Sequence, residues 1–479
     1  EVNGRYDGSS RFPHNDKWAF FPSASIGYRF SEEAYFAPLK KVISNAKFRA
    51  SYGEIGNEAI GNYMFEELIS QRENTSATGY IYWVDGNGAN ANRLTQYNMP
   101  KLVSKSLTWE RIRTTDIGLD LGFLNNELTV GFDWYQRENR DMLAPAQVLP
   151  NSVGATAPYD NAGTLRTRGW ELNLDWHHKF GEFNVYANFN LSDSKTKVTK
   201  WNNDTKLLSS YFSGKTYGDI WGFETDRYFE ESDFTGQNAD GSWIYKSGVA
   251  SQSALERAPF HYGPGDIKFK DLDGDGQITE NDRTVIGNTT PKFQGGFGLS
   301  GQWKNFDFTA NFNYMVDFDV YNATNYMLSS SISNTNNFYN VLADFTQKNR
   351  WTYVRADGEC LYKNTNIDGS VNEYITMNAG KSLWNPADVE DKVTHSYFVE
   401  DGSFLRLQDV TIGYTLPSNL TKKWGMSKVR FYASASNLFI LTGYSGYDPE
   451  VDVQSGLTPS MDYNRYPRSR SFVFGTNIT

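Results

Sequence analysis

Cysteine is almost missing from these 479 residues: Cys360 stands alone. One thiol excludes an internal disulfide framework and any multi-cysteine metal centre, and a lone loop cysteine is more often inert than nucleophilic. Long apolar runs are missing too. Nothing approaches the roughly 18 consecutive residues of a transmembrane helix. There is no basic block, and a formal charge of −10 with a pI of about 5.2 argues against nucleic acid as a partner. The five histidines (His14, His177, His178, His261, His395) show no HExxH or similar ligand spacing. Acid pairs abound, but none stands in a context that suggests general acid–base work, so an enzyme is not expected. No signal peptide is visible, and "EVNGRYDGSSRF" reads as the tail of a strand already under way.

What is present is aromatic and alternating. Phe, Tyr and Trp make up 16% of the chain, yet mean hydropathy is −0.59. Both hold when apolar side chains occupy every second position, the signature of a strand with two unlike faces. In "SASIGYRF" Ala24, Ile26, Tyr28 and Phe30 share one face. In "TTDIGLDLGF" Ile117, Leu119, Leu121 and Phe123 oppose Asp116, Gly118, Asp120 and Gly122. After the tight "LNNE" turn, "LTVGFDWY" puts Leu128, Val130, Phe132 and Trp134 on one side. "GWELNLDW" and "NVYANFNL", then "FGLSGQW" and "FDFTANFNY", form further hairpins, and "VTIGYTL", "VRFYASAS" and "SFVFGTNIT" close the chain. About eleven such segments follow the opening strand tail, with no helical domain between them.

The connections alternate in length. Those near residues 31–45, 124–127, 179–182, 303–306 and 417–427 are compact. Residues 55–107, 144–168, 198–292, 322–396 and 440–467 are long and rich in Asn, Gly, Ser, Asp and Tyr. In a compact soluble domain such loops would count against the strands themselves. A transmembrane barrel expects them, with short periplasmic turns and long extracellular loops. A soluble β-sandwich alternates as well. Here, however, the polar faces are Gly, Ser, Asn and Asp, the apolar faces begin or end in Trp or Tyr, and the segments exceed ordinary sandwich strands. The expected fold class is all-β, a transmembrane antiparallel β-barrel.

The phrases "WAFFPSASIGYRFSEE", "AKFRASYGEIGN", "GFLNNELTVGFDWYQRENRDML", "NAGTLRTRGWELNLDW", "GDIKFKDLDGDGQITENDRTVIGNTTPKFQGGFGLSGQWKNFDF", "FLRLQDVTIGYTLP" and "VRFYASASNLFILTGYSGYDPEV" occur in that order. Together they closely resemble the carboxy-terminal part of SusC/RagA-type TonB-dependent transporters of the Bacteroidetes outer membrane. The resemblance covers nearly the whole chain. It implies an integral outer-membrane protein, with residues 1–479 supplying about the last twelve of twenty-two barrel strands. It also implies TonB-driven import of oligosaccharides or peptides and a SusD-like surface lipoprotein as a lid. The plug domain, the early strands and the TonB-contacting motif have no counterpart here. An open sheet would expose unpaired edges to lipid, so the expectation is a fragment of a longer chain or one of two chains completing a barrel. Family members commonly end in an aromatic residue, and Thr479 suggests a trimmed end.

Within the long connection 198–292, "DLDGDGQITEND" (residues 271–282) has the spacing of a calcium loop without the flanking helices of an EF-hand. Asp271, Asp273 and Asp275 would present carboxylates, with Gly276 permitting the sharp turn. Gln277 would offer its backbone carbonyl, Thr279 a hydroxyl or bound water, and Asp282 the closing carboxylate. Asp282 is shorter than the usual Glu, which points to weak affinity, roughly 10⁻⁴ to 10⁻³ M. Calcium is therefore the expected cofactor, in a structural role; the contrary reading is a solvated acidic turn. Tyr211, Phe212, Trp221, Tyr228, Trp351 and Tyr353 have the chemistry of sugar-stacking platforms, and equally that of loop packing. The alternative function is a secreted or cell-surface, calcium-stabilised, β-rich glycan-binding protein, which would be soluble without detergent.

Overall fold

In the computed structural model of the chain, the described residues are 1–69, 71–73, 95–97, 102–145, 149, 151–153, 157–203, 206, 208, 211–256, 261–329, 342–346, 348–355, 357–361, 376–377, 381–384, 393–450, 461–463 and 466–479. The alternating segments are strands of one antiparallel sheet: β1 (Val2–Gly8), β2 (Trp18–Tyr28), β3 (Ile43–Asn57), β4 (Glu110–Phe123), β5 (Leu128–Pro145), β6 (Tyr159–Phe180), β7 (Phe183–Trp201), β8 (Phe293–Trp303), β9 (Phe306–Val316), β10 (Phe404–Thr415), β11 (Val429–Thr442) and β12 (Ser471–Ile478). The twelve strands neighbour one another in simple chain order. The expected strand tail plus eleven segments is thus what the sheet contains. Among the described residues no helix is long and apolar enough to cross a membrane.

Register converts the sequence alternation into faces. Ile117 pairs with Trp134, Leu119 with Phe132 and Leu121 with Val130, and Trp134 in turn lies opposite Trp170. Apolar side chains therefore line up across neighbouring strands, and the polar positions line the other face. There Arg49 bonds Asp120 at 2.8 Å and reaches Asp133 at 2.8 Å. β6 has 22 residues and β7 has 19, about twice the nine to eleven needed to span a bilayer, so the wall projects beyond the apolar band.

Short turns close one end. The "LNNE" turn holds Leu124, Asn125 and Asn126 at positive φ, which asparagine tolerates better than most side chains. Lys304, at φ 51, occupies the two-residue turn between β8 and β9. Three boundaries differ from expectation. β2 stops at Tyr28, with Phe30 beginning a 3₁₀ turn instead of extending the strand. β6 begins at Tyr159, so the connection expected at 144–168 shortens to 146–158. β7 runs on to Trp201, into the connection expected from residue 198.

The chain divides into two compact units. The first comprises Glu1–His178 and Asn188–Tyr217. Its largest apolar cluster is Phe12, Ala19, Phe21, Ile60, Leu107 and Trp109. The second comprises Lys179–Ala187 and Gly218–Thr479. It holds a larger core built from connections rather than from the sheet: Phe223, Phe229, Phe234, Tyr262, Phe269, Ile278, Phe345, Trp384 and Phe398 are all buried.

Candidate functional site

The acidic loop grows out of that second core. Two small two-stranded sheets frame it: Asp219–Gly222 pairs with Thr284–Asn288, and Thr225–Tyr228 with Ile267–Phe269. Residues 270–283 thus run between two strands whose partners are themselves consecutive in the chain. Strands pin the ends that helices pin in an EF-hand.

The loop's conformation is fixed by its own carboxylates. Asp271 accepts hydrogen bonds from the N–H groups of Gly274 (2.7 Å) and Gly276 (2.9 Å). Asp273 accepts from the Asp275 N–H at 3.1 Å, and Asp275 from the Gln277 N–H at 2.7 Å. Gly274 and Gly276 take φ of 75° and 82°, a region costly for any residue with a Cβ. Ile278 is fully buried in the core, and its N–H donates to the Ser251 carbonyl at 2.8 Å. The underside is thereby tied down and the acidic side left to solvent.

Asp271, Asp273 and Asp275 come together as expected: one oxygen of each lies within 4.8 Å of the others. Three carboxylates with a neighbouring carbonyl form a hard-oxygen set that suits calcium. Gln277 follows directly, its backbone bridged to Ser251. The Thr279 hydroxyl caps the turn Glu280–Asp282, accepting from the Asn281 N–H at 3.3 Å. Asp282 stands apart from the trio. It is fully buried, and its two oxygens accept from the N–H groups of Leu272 and Thr279, each at 2.8 Å, with Asp273 more distant at 3.4 Å. It braces the loop from beneath.

The aromatic candidates separate by burial. Phe212, Trp351 and Tyr353 are buried, and Trp351 and Tyr353 pack with Met377 against Tyr228 and Trp243. Tyr211 is half-buried edge-on to Trp201 at 5.0 Å, and Trp221 is half-buried on the strand Asp219–Gly222. The Tyr228 hydroxyl donates to the Ser382 carbonyl at 3.0 Å; burial and its neighbour Tyr397 push that phenol well above its ordinary pKa.

Several buried polar groups were not anticipated. Gln252, fully buried, donates to the Ile267 carbonyl and accepts from the Phe269 N–H, satisfying the strand that leads into the acidic loop. Asp233 receives both arms of Arg227 at 2.7 Å. Burial alone would raise its pKa, but Arg227 and the Glu230 N–H outweigh this and hold it below the usual carboxylate value. Asp233 had a local signal, since it is the third helical residue of a capping box begun by Glu230. Gln252 had none.

Residues 1–254 match the family model described as TonB dependent receptor-like, beta-barrel. TonB-dependent receptor P3 of Formosa agariphila is 30% identical, the alignment covering 99% of this chain and 43% of that protein. TonB-dependent receptor SusC of Bacteroides thetaiotaomicron is 26% identical over 99% of this chain and 41% of its own length. Among solved structures, one described as the RagAB peptide transporter superposes with a TM-score of 0.69 at 22% identity, over 100% of this chain and 45% of that one.

Proposed function

Because this chain belongs to the TonB-dependent receptor β-barrel family, as a member of the SusC/RagA type, we propose that it forms part of an importer taking oligosaccharides or peptides across the outer membrane. The chain is an outer-membrane protein of a family of receptors and transporters. That sets aside the soluble glycan-binding alternative. It spans less than half the length of the relatives it matches, so the cargo, the partners and the energised cycle are properties of the whole protein that we infer. The observation that carries the reading is the chain-ordered sheet of long strands with connections elaborated at one end.

TonB coupling through the amino-terminal portion would supply the energy, and a SusD-like lipoprotein would cover the long connections. Tyr447, Tyr463 and Tyr466 favour such a cover: they are 76%, 55% and 92% exposed on the connection after β11, and exposed tyrosines of this kind are enriched at protein interfaces. The test is uptake of labelled oligosaccharide or peptide by cells expressing the full-length protein, with and without TonB function. Uptake that survives loss of TonB overturns the proposal.

The acidic loop serves this reading as a calcium-ordered support. Asp271, Asp273 and Asp275 supply the charge, Gln277 its carbonyl, and Thr279 a hydroxyl or water. Asp282 closes the loop from below. Calcium bound there would fix the connection 198–292 against its core. Calorimetry should find one site with a Kd of roughly 10⁻⁴ to 10⁻³ M that is lost in D273N/D275N. No heat at millimolar calcium removes the assignment without touching the transport reading.

A further inference from the structure

Above the apolar band of the first unit, the same sheet face turns strongly cationic. Two residues beyond Tyr52 in β3 is Glu54, and it is flanked by Arg111 at 3.2 Å and Arg113 at 2.8 Å from β4. Four residues beyond Trp134 in β5 is Glu138, flanked by Arg140 and Arg166 at 2.6 Å each. Register places these on the face of Ile117, Trp134 and Trp170: Glu54 pairs with Arg113, Glu138 with Arg166, and Gln136 with Arg168. Each carboxylate is buried and shared by two guanidiniums that remain partly exposed. Every triad therefore keeps one uncompensated positive charge.

The belt continues sideways. Arg168, two residues beyond Trp170, is exposed. Along β7 the apolar face of Phe189 and Leu191 runs on through Asp193 to Lys195 and Lys197, both exposed. Seven cations face three carboxylates (Glu54, Glu138, Asp193) on a chain whose formal charge is −10. In the second unit the apolar face of β8, β9 and β10, with Phe297, Leu299, Phe308, Phe312, Leu405 and Ile412, carries no charge. The cations described here lie on β4 to β7. They lie between a girdle of Tyr and Trp and the ends of the strands that enter the long connections, the height of the outer-leaflet headgroups.

We propose that this belt binds a phosphorylated glycolipid of the outer leaflet. Phosphate oxygens suit guanidinium pairs, whose forked donors match them bidentately. The triads hold those guanidiniums in place before any lipid arrives. Five strands at about 4.8 Å spacing make the belt about 19 Å wide, suited to phosphates spread over a sugar scaffold rather than to a single phosphodiester. Acyl chains of such a lipid would lie against Phe132, Trp134 and Trp170 below.

The experiment titrates the full-length transporter, in uncharged detergent, with diphosphorylated lipid A and reads bound lipid by native mass spectrometry. Dephosphorylated lipid A and phosphatidylglycerol are the comparison arms. The phosphorylated glycolipid should bind at least about tenfold more tightly than either. R168Q/K195Q/K197Q, which leaves both triads intact, should weaken it roughly a hundredfold, from about 1 kcal/mol for each of the three surface cations. Equal binding of the dephosphorylated lipid, equal binding of phosphatidylglycerol, or an unchanged variant overturns the proposal. If the triple variant does not fold, a salt series on the unaltered protein decides. Binding that does not weaken between 0.05 and roughly 0.5 M salt, where screening shortens several-fold, overturns it equally.

Discussion

Replacing Asp282 with alanine should loosen the acidic loop even when no calcium is present. Its carboxylate is buried and accepts two backbone N–H groups at 2.8 Å; the third contact, at 3.4 Å, is too long to contribute much. Losing a charged acceptor strands a donor at about 1–3 kcal/mol each. Two donors give roughly 2–6 kcal/mol, and because Leu272 is 46% exposed, water recovers part of one, leaving about 2–4. At 1.4 kcal/mol per decade, amide exchange across residues 272–279 in a chelating buffer should quicken roughly 30- to 1000-fold. D273N is the control. Its carboxylate accepts a single N–H on the solvent side at 3.1 Å, so exchange without calcium should stay within a fewfold of wild type while calcium protection disappears. The brace assignment fails if D282A exchanges like wild type, or if D273N loosens the calcium-free loop as much.

Three further outcomes follow from the same geometry. Gly276→Ala meets no atom within 4 Å but must adopt φ 82°, so it should cost about 1–2 kcal/mol, read as a roughly tenfold weaker calcium isotherm. Asp233 has a lowered folded-state pKa, so its contribution is complete above the ordinary carboxylate value of 3.8 and is lost as pH falls through the lower folded value. Protease nicking within residues 225–245 should therefore rise in that acid range and lose this pH dependence in D233N. Arg406 is 4% exposed and bonds Asp448 at 2.6 Å, with Glu450 at 3.5 Å. R406A should cost about 3–5 kcal/mol and make residues 443–450 cleavable, whereas equal resistance would mean that Arg468 alone holds them.

The wall was legible because one rule governs it. Leu128, Val130, Phe132 and Trp134 must share a face in any strand, and lipid requires the apolar face to be continuous. The trio Asp271, Asp273 and Asp275 was legible for a similar reason, since its geometry is local to six residues and Gly276 licenses the turn. Asp282 was legible by its spacing, which is that of a ligand; the N–H groups it accepts were not, because they depend on how the loop folds back over it. Trp351 and Tyr353 could be read as platforms or packing until a core formed around them from connections far apart in sequence. The guanidinium triads needed register. "ERIRTT" and "RTRGW" show alternating arginines, but that Glu54 lies between Arg111 and Arg113 depends on strands separated by a long connection.

Neighbouring strands of the wall are also neighbours in the chain, so each connection joins two ends that the sheet has already brought close. Closing a loop costs only logarithmically with its length. The connection at residues 202–292 is about seven times as long as that at 146–158, yet it costs only about 1.7 kcal/mol more to close, a deficit that a single well-packed aromatic repays. Insertions at this end of the sheet are therefore almost free of consequence for the wall. The scaffold can hold its register while what stands upon it is lengthened and refashioned without the wall being rebuilt.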